Sequence, residues 1–153
     1  LADGVSVTQS VIESSTVATG ATVGPFAHLR PNSHLGQDVH IGNFVEVKNS
    51  TLGAGVKSGH LTYIGDADLG RDINIGCGTI FVNYDGKKKH RSTVGDQAFI
   101  GCNANIVSPV KIGDQTFIAA GTTVTRDVPD QALAISRVKQ DNIPNYWQKF
   151  SKK

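Results

Sequence analysis

The sequence is poor in several features, and two of these shortages exclude a class of protein. It has no methionine, one tryptophan and two cysteines in 153 residues. Two cysteines cannot form the dense disulfide framework of a small secreted domain. The net charge of +2 is too small to indicate a nucleic-acid partner, and the basic run Lys87–Arg91 contains no interleaved aromatic residues.

Long apolar runs and signal-like segments are also absent from the sequence, so we expect a cytoplasmic protein. The length suits one domain, which we assign to residues 1–153. Because the chain does not begin with methionine and its first repeat starts almost at once, we expect it to be a fragment of a longer protein.

The sequence does have a strong period of six. Almost every sixth position from Val5 to Val124 is aliphatic or aromatic, and glycine follows more than half of these positions. We call them anchors: Val5, Val11, Val17, Val23, Leu29, Leu35, Ile41, Val47, Leu52, Ser58, Ile64, Leu69, Ile75, Phe81, Val94, Ile100, Ile106, Ile112, Ile118 and Val124. Only Ser58 among them is polar.

A period of six matches neither the α-helix nor the ordinary strand, and it is the signature of a parallel β-helix. Three hexapeptides close one coil of a triangular prism, and each anchor points inward. Residues eighteen apart in the chain then stack at a strand spacing of about 4.8 Å. We therefore predict an all-β fold whose three faces, A, B and C, receive the anchors in turn.

The regular spacing is interrupted once on a large scale. The step from Phe81 to Val94 is thirteen residues long, which predicts an extruded loop at about residues 84–93, a place where solenoids often carry function. The repeats are predicted to span about residues 5–129. The remaining tail, 130–153, is predicted to cover the open end of the prism or a neighbouring chain.

Two basic residues point to chemistry on face B. Arg30 and Lys48 each follow a face B anchor and lie eighteen apart, so they should stack about one strand spacing from each other. At about 5 Å, two like charges repel by roughly 3 kcal/mol at an effective dielectric constant of 20. Either a bound anion or neutralisation by Glu46 and solvent would relieve this repulsion, and the sequence leaves both interpretations open.

A candidate general base lies close to these cations in the same scheme. Tyr63 precedes the anchor Ile64 and is predicted to lie at the edge between faces A and B. His60 comes three residues earlier, in the repeat with the polar anchor, and Asn74 follows one coil later. We expect His60 to share one edge with the cations and to act as a base. The alternative is an ordinary surface histidine.

Other histidines are evenly spaced but do not form a metal site. His28, His34 and His40 are six residues apart, one third of a coil, so they point from three different edges. Because a zinc site needs three or four converging ligands, we predict no metal in this chain.

Two further columns are expected on the outside of the prism. Phe26, Phe44 and Leu61 occupy one outward position in successive coils, which indicates a subunit interface. Cys77 and Cys102 also hold equivalent positions, close enough for a disulfide, although reduced thiols are the expectation in a cytosolic protein.

Six motifs together carry a specific resemblance: GPFAHLRP, IGNFVEVK, KSGHLTYIGD, NIGCGTIFVNYDG, IAAGTTVTRDV and ALAISR. Between about Val23 and Arg137 the chain closely resembles the acetyltransferase half of the bacterial bifunctional N-acetylglucosamine-1-phosphate uridyltransferase/glucosamine-1-phosphate N-acetyltransferase. The resemblance implies a left-handed β-helix and a homotrimer with active sites between subunits. It also implies acetyl-CoA as donor, α-D-glucosamine 1-phosphate as acceptor, and a product for UDP-N-acetylglucosamine, peptidoglycan and lipopolysaccharide synthesis. Mg²⁺ is implied only for the uridyltransferase domain, which would precede Leu1.

The resemblance also assigns the site residues. His60 corresponds to the proposed catalytic base. The acceptor is implied to bind Arg30, Lys48, Tyr63, Asn74 and Lys89, and acetyl-CoA to bind Cys77, Asn83, Tyr84, Cys102, Ala120 and Arg137. Cys77 and Cys102 stand where the family commonly has alanine and serine, so a side-chain contact at Cys102 loses its hydroxyl.

Two other functions fit part of the pattern. One is a hexapeptide acyltransferase with another acceptor, which the repeat alone does not exclude. The other is a non-catalytic trimerisation scaffold, which explains the anchors and the apolar column but not the gathering of basic side chains.

Overall fold

A computed structural model describes residues 1–151, and almost all of its regular structure is short strands. The strands are β1 (Ser6–Val7), β2 (Val11–Ile12), β3 (Thr16–Val17), β4 (Thr22–Val23), β5 (His28–Leu29), β6 (His34–Leu35), β7 (His40–Lys48), β8 (Thr51–Leu52), β9 (Lys57–Gly65), β10 (Ala67–Leu69), β11 (Asn74–Ile75), β12 (Ile80–Val82), β13 (Ser92–Val94), β14 (Phe99–Ile100), β15 (Asn105–Val107), β16 (Lys111–Ile112), β17 (Phe117–Ile118), β18 (Thr123–Val124) and β19 (Leu133–Ala134).

These strands form the three faces of a prism. Face A has the order β1-β4-β7-β9-β11-β14-β17-β19, face C has the order β16-β13-β10-β8-β6-β3, and β2, β5, β12, β15 and β18 lie on face B. All the ladders between named strands are parallel. Faces A and B form one 13-stranded sheet because the nine-residue strands β7 and β9 bend around the edge between them.

The predicted fold class is therefore confirmed. The chain is an all-β solenoid of about seven turns, consistent with the left-handed β-helix that the resemblance implies. Its core is the column of anchors: Leu29 stacks on Val47, which stacks on Ile64, and all three are fully buried. Burial of one apolar side chain per hexapeptide on each face is what closes the coil.

The first coil departs from the predicted spacing. Val7 pairs with Val23 and Ile12 pairs with Leu29, so these residues hold the inward positions that we assigned to Val5 and Val11. Val11 is 55% exposed, and that assignment is wrong. Five-residue steps at the start of the chain shift the register, so counting back in sixes misses the inward position by one residue at Ile12 and by two at Val7.

The winding continues farther than the sequence pattern indicated. Val128 bridges to Ile112 within the predicted span of the repeats, and strand pairing goes on beyond residue 129, where β19 pairs with β17. From Ile135 to Ser151 every residue is exposed, and the regular structure in this stretch is a 3-10 helix, Tyr146–Lys149, with no buried residue. That the tail covers the open end of the prism or a neighbouring chain stays a prediction. Within residues 1–151, no helix has the length and apolar content needed to cross a membrane.

The polar anchor Ser58 gives a prediction about stability. Its hydroxyl is fully buried and has no hydrogen-bond partner among residues 1–151. Because an unpaired buried hydroxyl costs free energy, we expect Ser58→Val to raise the free energy of unfolding by about 1 kcal/mol. Chemical denaturation followed by circular dichroism measures this change.

Ser50 provides the matched control. It is equally buried, but its hydroxyl donates to the carbonyl oxygen of Lys48 at 2.8 Å and accepts from the backbone N–H of Ala67 at 3.0 Å. We expect Ser50→Val to destabilise the protein. Destabilisation by both substitutions would contradict the assignment of Ser58 as an unsatisfied group.

Candidate active site

All candidate residues except Asn74 lie along two edges of face B. In the β7–β9 ladder, Asn43 aligns with His60, and Lys48 aligns with Gly65. His60 therefore lies where the chain turns from face A to face B, and Lys48 lies where it turns from face B to face C. We call the first edge the histidine edge and the second the loop edge.

This arrangement corrects one prediction. Five strand positions separate His60 from Gly65, the partner of Lys48, which corresponds to at most about 16 Å of strand. The expectation that His60 shares one edge with Arg30 and Lys48 is therefore wrong within a single chain. Arg30 and Lys48 each follow an anchor and so lie where a face B strand ends. His60 lies where the chain enters face B, at the opposite side of the same face.

The stacked cations at the loop edge are each paired with a carboxylate. Arg30 Nη1 donates to Glu46 Oε1 at 2.9 Å, and this hydrogen bond raises the pKa of Arg30. Lys48 Nζ lies 3.2 Å and 3.3 Å from the two carboxylate oxygens of Asp66. Glu46 therefore neutralises the charge of Arg30, one of the two interpretations that the sequence left open. The sequence analysis did not identify Asp66 as the partner of Lys48.

The two ion pairs differ in burial. Arg30 and Glu46 are about two-fifths exposed, so solvent screens their attraction and the pair can separate when an anion approaches. The side chain of Asp66 is only 7% exposed. Burial tends to raise the pKa of Asp66, but hydrogen bonds from Asn49, Lys48 and Asn83 outweigh this effect and lower it. Lys48 is therefore held in place by an ionised carboxylate.

The extruded loop is a small hairpin at the loop edge. Tyr84 and Lys89 form an antiparallel bridge, and the ammonium of Lys89 lies 5.4 Å from the centroid of the Tyr84 ring. Asp85 accepts hydrogen bonds from the backbone N–H groups of Lys87 and Lys88 and, at 2.6 Å, from His90. These bonds, chiefly that from His90, lower the pKa of Asp85 to about 2.

Tyr63 and Asn83 connect this hairpin to face B. Asn83 Nδ2 donates to Tyr63 Oη at 3.2 Å and to Asp66 Oδ2 at 2.5 Å. The loop edge thus brings together six predicted site residues: Arg30, Lys48, Tyr63, Asn83, Tyr84 and Lys89. Asn74 is not among them, since it begins β11 on face A between Lys57 and Phe99.

The histidine edge carries a second group. Backbone hydrogen bonds of 2.8 Å link Gly78 to Leu61, Asn103 to Cys77 and Gly121 to Cys102. The strand register agrees, because Tyr63, Ile80, Asn105 and Thr123 align in successive coils of face B. The residues three positions before them therefore stack as well: His60, Cys77, Cys102 and Ala120. Arg137 reaches the same edge from the tail and donates to the carbonyl oxygen of Ala120. The predicted equivalence of the two cysteines is confirmed, and both are free thiols.

His60 differs from the other histidines. The rings of His28, His34, His40 and His90 hydrogen-bond to Glu13, Thr16, Thr22 and Asp85, respectively. His28, His34 and His40 lie in β5, β6 and β7, on three different faces, whereas the spacing had placed them at three different edges. In the part of the chain that the structure describes, only the exposed ring of His60 has no hydrogen-bond partner, so it is available to a ligand.

An apolar column runs beside the histidine edge. Phe26, Phe44 and Leu61 are each more than half exposed, and the rings of Phe26 and Phe44 stack with centroids 5.8 Å apart. All three have positive φ angles at the bend between faces A and B. The bend turns these side chains away from the core of their own chain.

Comparisons with known proteins agree with the repeat pattern. The family described as "Bacterial transferase hexapeptide (six repeats)" matches residues 91–126. The chain is 63% identical to "Bifunctional protein GlmU" of Levilactobacillus brevis over 150 residues, 98% of this chain and 33% of that protein. It is 54% identical to the protein of the same name from Clostridium perfringens over 149 residues, 97% of this chain and 33% of that protein. The chain thus spans about a third of the length of these relatives.

Solved structures share the architecture. PerB of Caulobacter crescentus, determined with CoA and GDP-perosamine, matches 82% of this chain and 55% of its own, with a TM-score of 0.59 and 25% identity. The UDP-N-acetylglucosamine acyltransferase of Francisella novicida matches 83% of this chain and 62% of its own, with a TM-score of 0.66. At 17% identity, the second likeness concerns the fold alone.

Proposed function

We propose that this chain, a hexapeptide-repeat relative of the bacterial GlmU proteins, transfers the acetyl group of acetyl-CoA to the amine of α-D-glucosamine 1-phosphate. The observation that carries the proposal is the gathering of three cationic or phenolic groups, Arg30, Lys48 and Tyr63, beside the hairpin that carries Lys89. Such an edge suits a sugar phosphate. The CoA bound to PerB supports acetyl-CoA as the donor.

The active site lies between chains in this proposal. The amine and phosphate of glucosamine 1-phosphate are on neighbouring carbons and cannot span the width of face B. His60 of one chain must therefore meet the loop edge of another. The exposed column of Phe26, Phe44 and Leu61, next to the histidine edge, supplies apolar surface for this contact, and a homotrimer brings every histidine edge to a neighbouring loop edge.

Binding of the phosphate uses the difference between the two ion pairs. Arg30 leaves the exposed carboxylate of Glu46 and turns to the phosphate, while Lys48 donates from a fixed position beside Asp66. Lys89 adds charge from the hairpin. Asn74, on face A, contributes only if a neighbouring chain brings the acceptor to that face.

Transfer then needs one base and no protein nucleophile. The sugar amine attacks the thioester carbonyl, its proton passes to the neutral imidazole of His60, and the C–S bond breaks to release CoA, which takes up the proton as its thiol. A backbone N–H near Cys77 would stabilise the oxyanion. Cys77, Cys102 and Ala120 line the path of the donor along the histidine edge, with Asn83, Tyr84 and Arg137 as its further contacts.

The product, N-acetylglucosamine 1-phosphate, is a precursor of UDP-N-acetylglucosamine for peptidoglycan and lipopolysaccharide, and we place the reaction in the cytoplasm. Release of free thiol from acetyl-CoA tests the function directly. We expect release with glucosamine 1-phosphate and little with glucosamine 6-phosphate or glucosamine. Release only with another amino sugar would indicate a different acceptor, and no release with any sugar would favour the scaffold.

Mixing two inactive variants tests whether the site is shared. We expect His60→Ala and Lys48→Ala to be nearly inactive alone, because each lacks one edge of every site. In randomly mixed trimers, about a quarter of the sites combine an intact histidine edge with an intact loop edge, so activity should recover to about that fraction. The measurement is initial velocity after the two variants are unfolded and refolded together.

Arg30→Ala mixed with Lys48→Ala is the matched control. Both substitutions damage the loop edge, so no mixed trimer contains a whole site and activity should stay at the level of the separate variants. Recovery in this control, or none in the first mixture, contradicts a site built from opposite edges of two chains.

A further inference from the structure

Asp66 is a buried carboxylate outside the set of substrate-binding residues assigned above. It lies between β9 and β10 with φ of 51°, a left-handed conformation that aspartate and asparagine adopt more readily than most residues. Its backbone N–H bonds to the carbonyl oxygen of Lys48, and its own carbonyl accepts from the N–H of Ser92, where the chain returns from the hairpin. Asp66 thus occupies the loop edge between the cation column and the hairpin.

Three side chains donate to its two carboxylate oxygens. Asn49 Nδ2 donates to Oδ1 at 2.5 Å, Asn83 Nδ2 donates to Oδ2 at 2.5 Å, and Lys48 Nζ lies within 3.3 Å of both. With 7% of its side chain exposed, the carboxylate depends on these donors in place of water. Asn49, Asn83 and Lys48 all donate, so both oxygens of residue 66 must accept. An ionised carboxylate meets this requirement, whereas a protonated acid or an amide would present a donor of its own.

Asn83 extends this network into the hairpin. The second hydrogen of its amide goes to Tyr63 Oη, and its main-chain carbonyl accepts from the N–H of His90 at 2.8 Å. Asn83 is itself buried, so its amide position is fixed by these partners. One carboxylate therefore determines the position of a face B cation and the base of the hairpin that carries Tyr84 and Lys89.

We propose that Asp66 is a positioning residue that holds Lys48 and the hairpin in register, so that the acceptor and donor parts of the site form together. The inference rests on the proposed function for the identity of the two substrates. It assigns different roles to the two carboxylates of the loop edge. Glu46 is an exposed partner that Arg30 can leave, whereas Asp66 keeps Lys48 and Asn83 where they are.

Asp66→Asn is the direct test. The substitution preserves shape but replaces one acceptor oxygen with an NH₂ group, which must face the amide donor of either Asn49 or Asn83, with the Lys48 ammonium close to both positions. Because a charge-assisted hydrogen bond is lost on both sides of the network, we expect the KM values for glucosamine 1-phosphate and for acetyl-CoA each to rise about tenfold. A rise for one substrate alone, or for neither, would overturn the proposal.

Asp38→Asn is the matched control. Asp38 is exposed at another bend, has φ of 55°, and is remote from face B. We expect both KM values and the Tm to match those of the wild type. Equal losses in the two variants would show that the substitution acts through the fold and would overturn a positioning role.

The double variant Asp66→Asn with Asn83→Asp tests the hydrogen bonds themselves. In it the amide introduced at position 66 donates to the new carboxylate at position 83 and still accepts from Asn49 and Lys48, so every donor again meets an acceptor. We expect at least partial return of the KM for glucosamine 1-phosphate toward that of the wild type, and we read this KM alone because Asn83 is itself a proposed contact of acetyl-CoA. A double variant no better than Asp66→Asn would contradict the network as the cause.

Two measurements remain decisive if Asp66→Asn does not fold or if the wild-type chain proves inactive. Asn49→Gly suits the φ of 47° and removes a donor to Asp66 without touching a substrate-binding residue. In the first case it should raise both KM values about threefold, less than loss of the carboxylate. If the wild-type chain proves inactive, the proposed function fails but the positioning role can still be tested. The backbone amide hydrogen of His90 should then exchange with deuterium faster in Asn49→Gly than in wild type. Unchanged KM values or unchanged exchange, respectively, would overturn the role of Asp66.

Discussion

Replacing His60 by alanine is expected to lower kcat by two to four orders of magnitude, the usual value of general-base assistance, while the KM for glucosamine 1-phosphate changes little. The amine must lose a proton as it attacks, and the His60 ring has no hydrogen-bond partner in residues 1–151 that would occupy it otherwise. Steady-state kinetics of the purified variant provide the measurement.

Two comparisons make this result specific to the imidazole. Added free imidazole should partly restore kcat, because the alanine variant leaves space at an exposed edge where the ring stood. His40→Ala should leave kcat unchanged, since His40 lies on face A and its ring bonds to Thr22.

Arg30→Ala should show the opposite kinetic pattern, a raised KM for the acceptor with a smaller change in kcat. If His60→Ala raised KM and spared kcat, the roles given to the two edges would have to be exchanged.

The sequence was sufficient for most of the fold because the period of six reflects one dominant requirement. Each short strand must bury its anchor, and Leu29, Val47 and Ile64 show the predicted stacking with complete burial. The requirement weakens at the open start of the prism, where Val7 and Ile12 replace the predicted anchors. There a shift of one or two residues costs little, because the anchors have no coil beneath them.

The site was less predictable for two physical reasons. A repeat gives the order of residues around a coil, but assigning one to an edge requires knowing on which side of its strand it lies, and this was misjudged for His60. Ion pairing also depends on side-chain directions that spacing does not give. The one signal for Asp66 was its position in the repeat. It follows Gly65, the residue one coil beyond Lys48, and so occupies the same bend as Asn49 in the coil before.

A second large effect is expected from a single methyl group at Gly42, in the middle of β7. A Cβ atom built there would overlap the carbonyl oxygen of Gly59 and lie 2.5 Å from its carbonyl carbon. These are backbone atoms of the next coil, so no side chain can rotate away. We expect Gly42→Ala to reduce the free energy of unfolding by about 3 kcal/mol or more, at the upper end of the cost of overpacking.

Gly59→Ala is the control that isolates this contact. The two glycines lie at corresponding places in neighbouring strands, neither has a left-handed φ, and a Cβ at Gly59 would meet nothing within 4 Å. We expect its Tm to stay near that of the wild type, whereas Gly42→Ala should lose about 10 °C. Because Gly59 precedes His60, displacement of its backbone should also move the imidazole, so any Gly42→Ala protein that remains folded should lose kcat as well. The Tm values are measured by circular dichroism at one protein concentration. Equal Tm values for the two variants would mean that β7 and β9 separate easily. Close stacking of these strands would then not be what holds the His60 ring at the histidine edge.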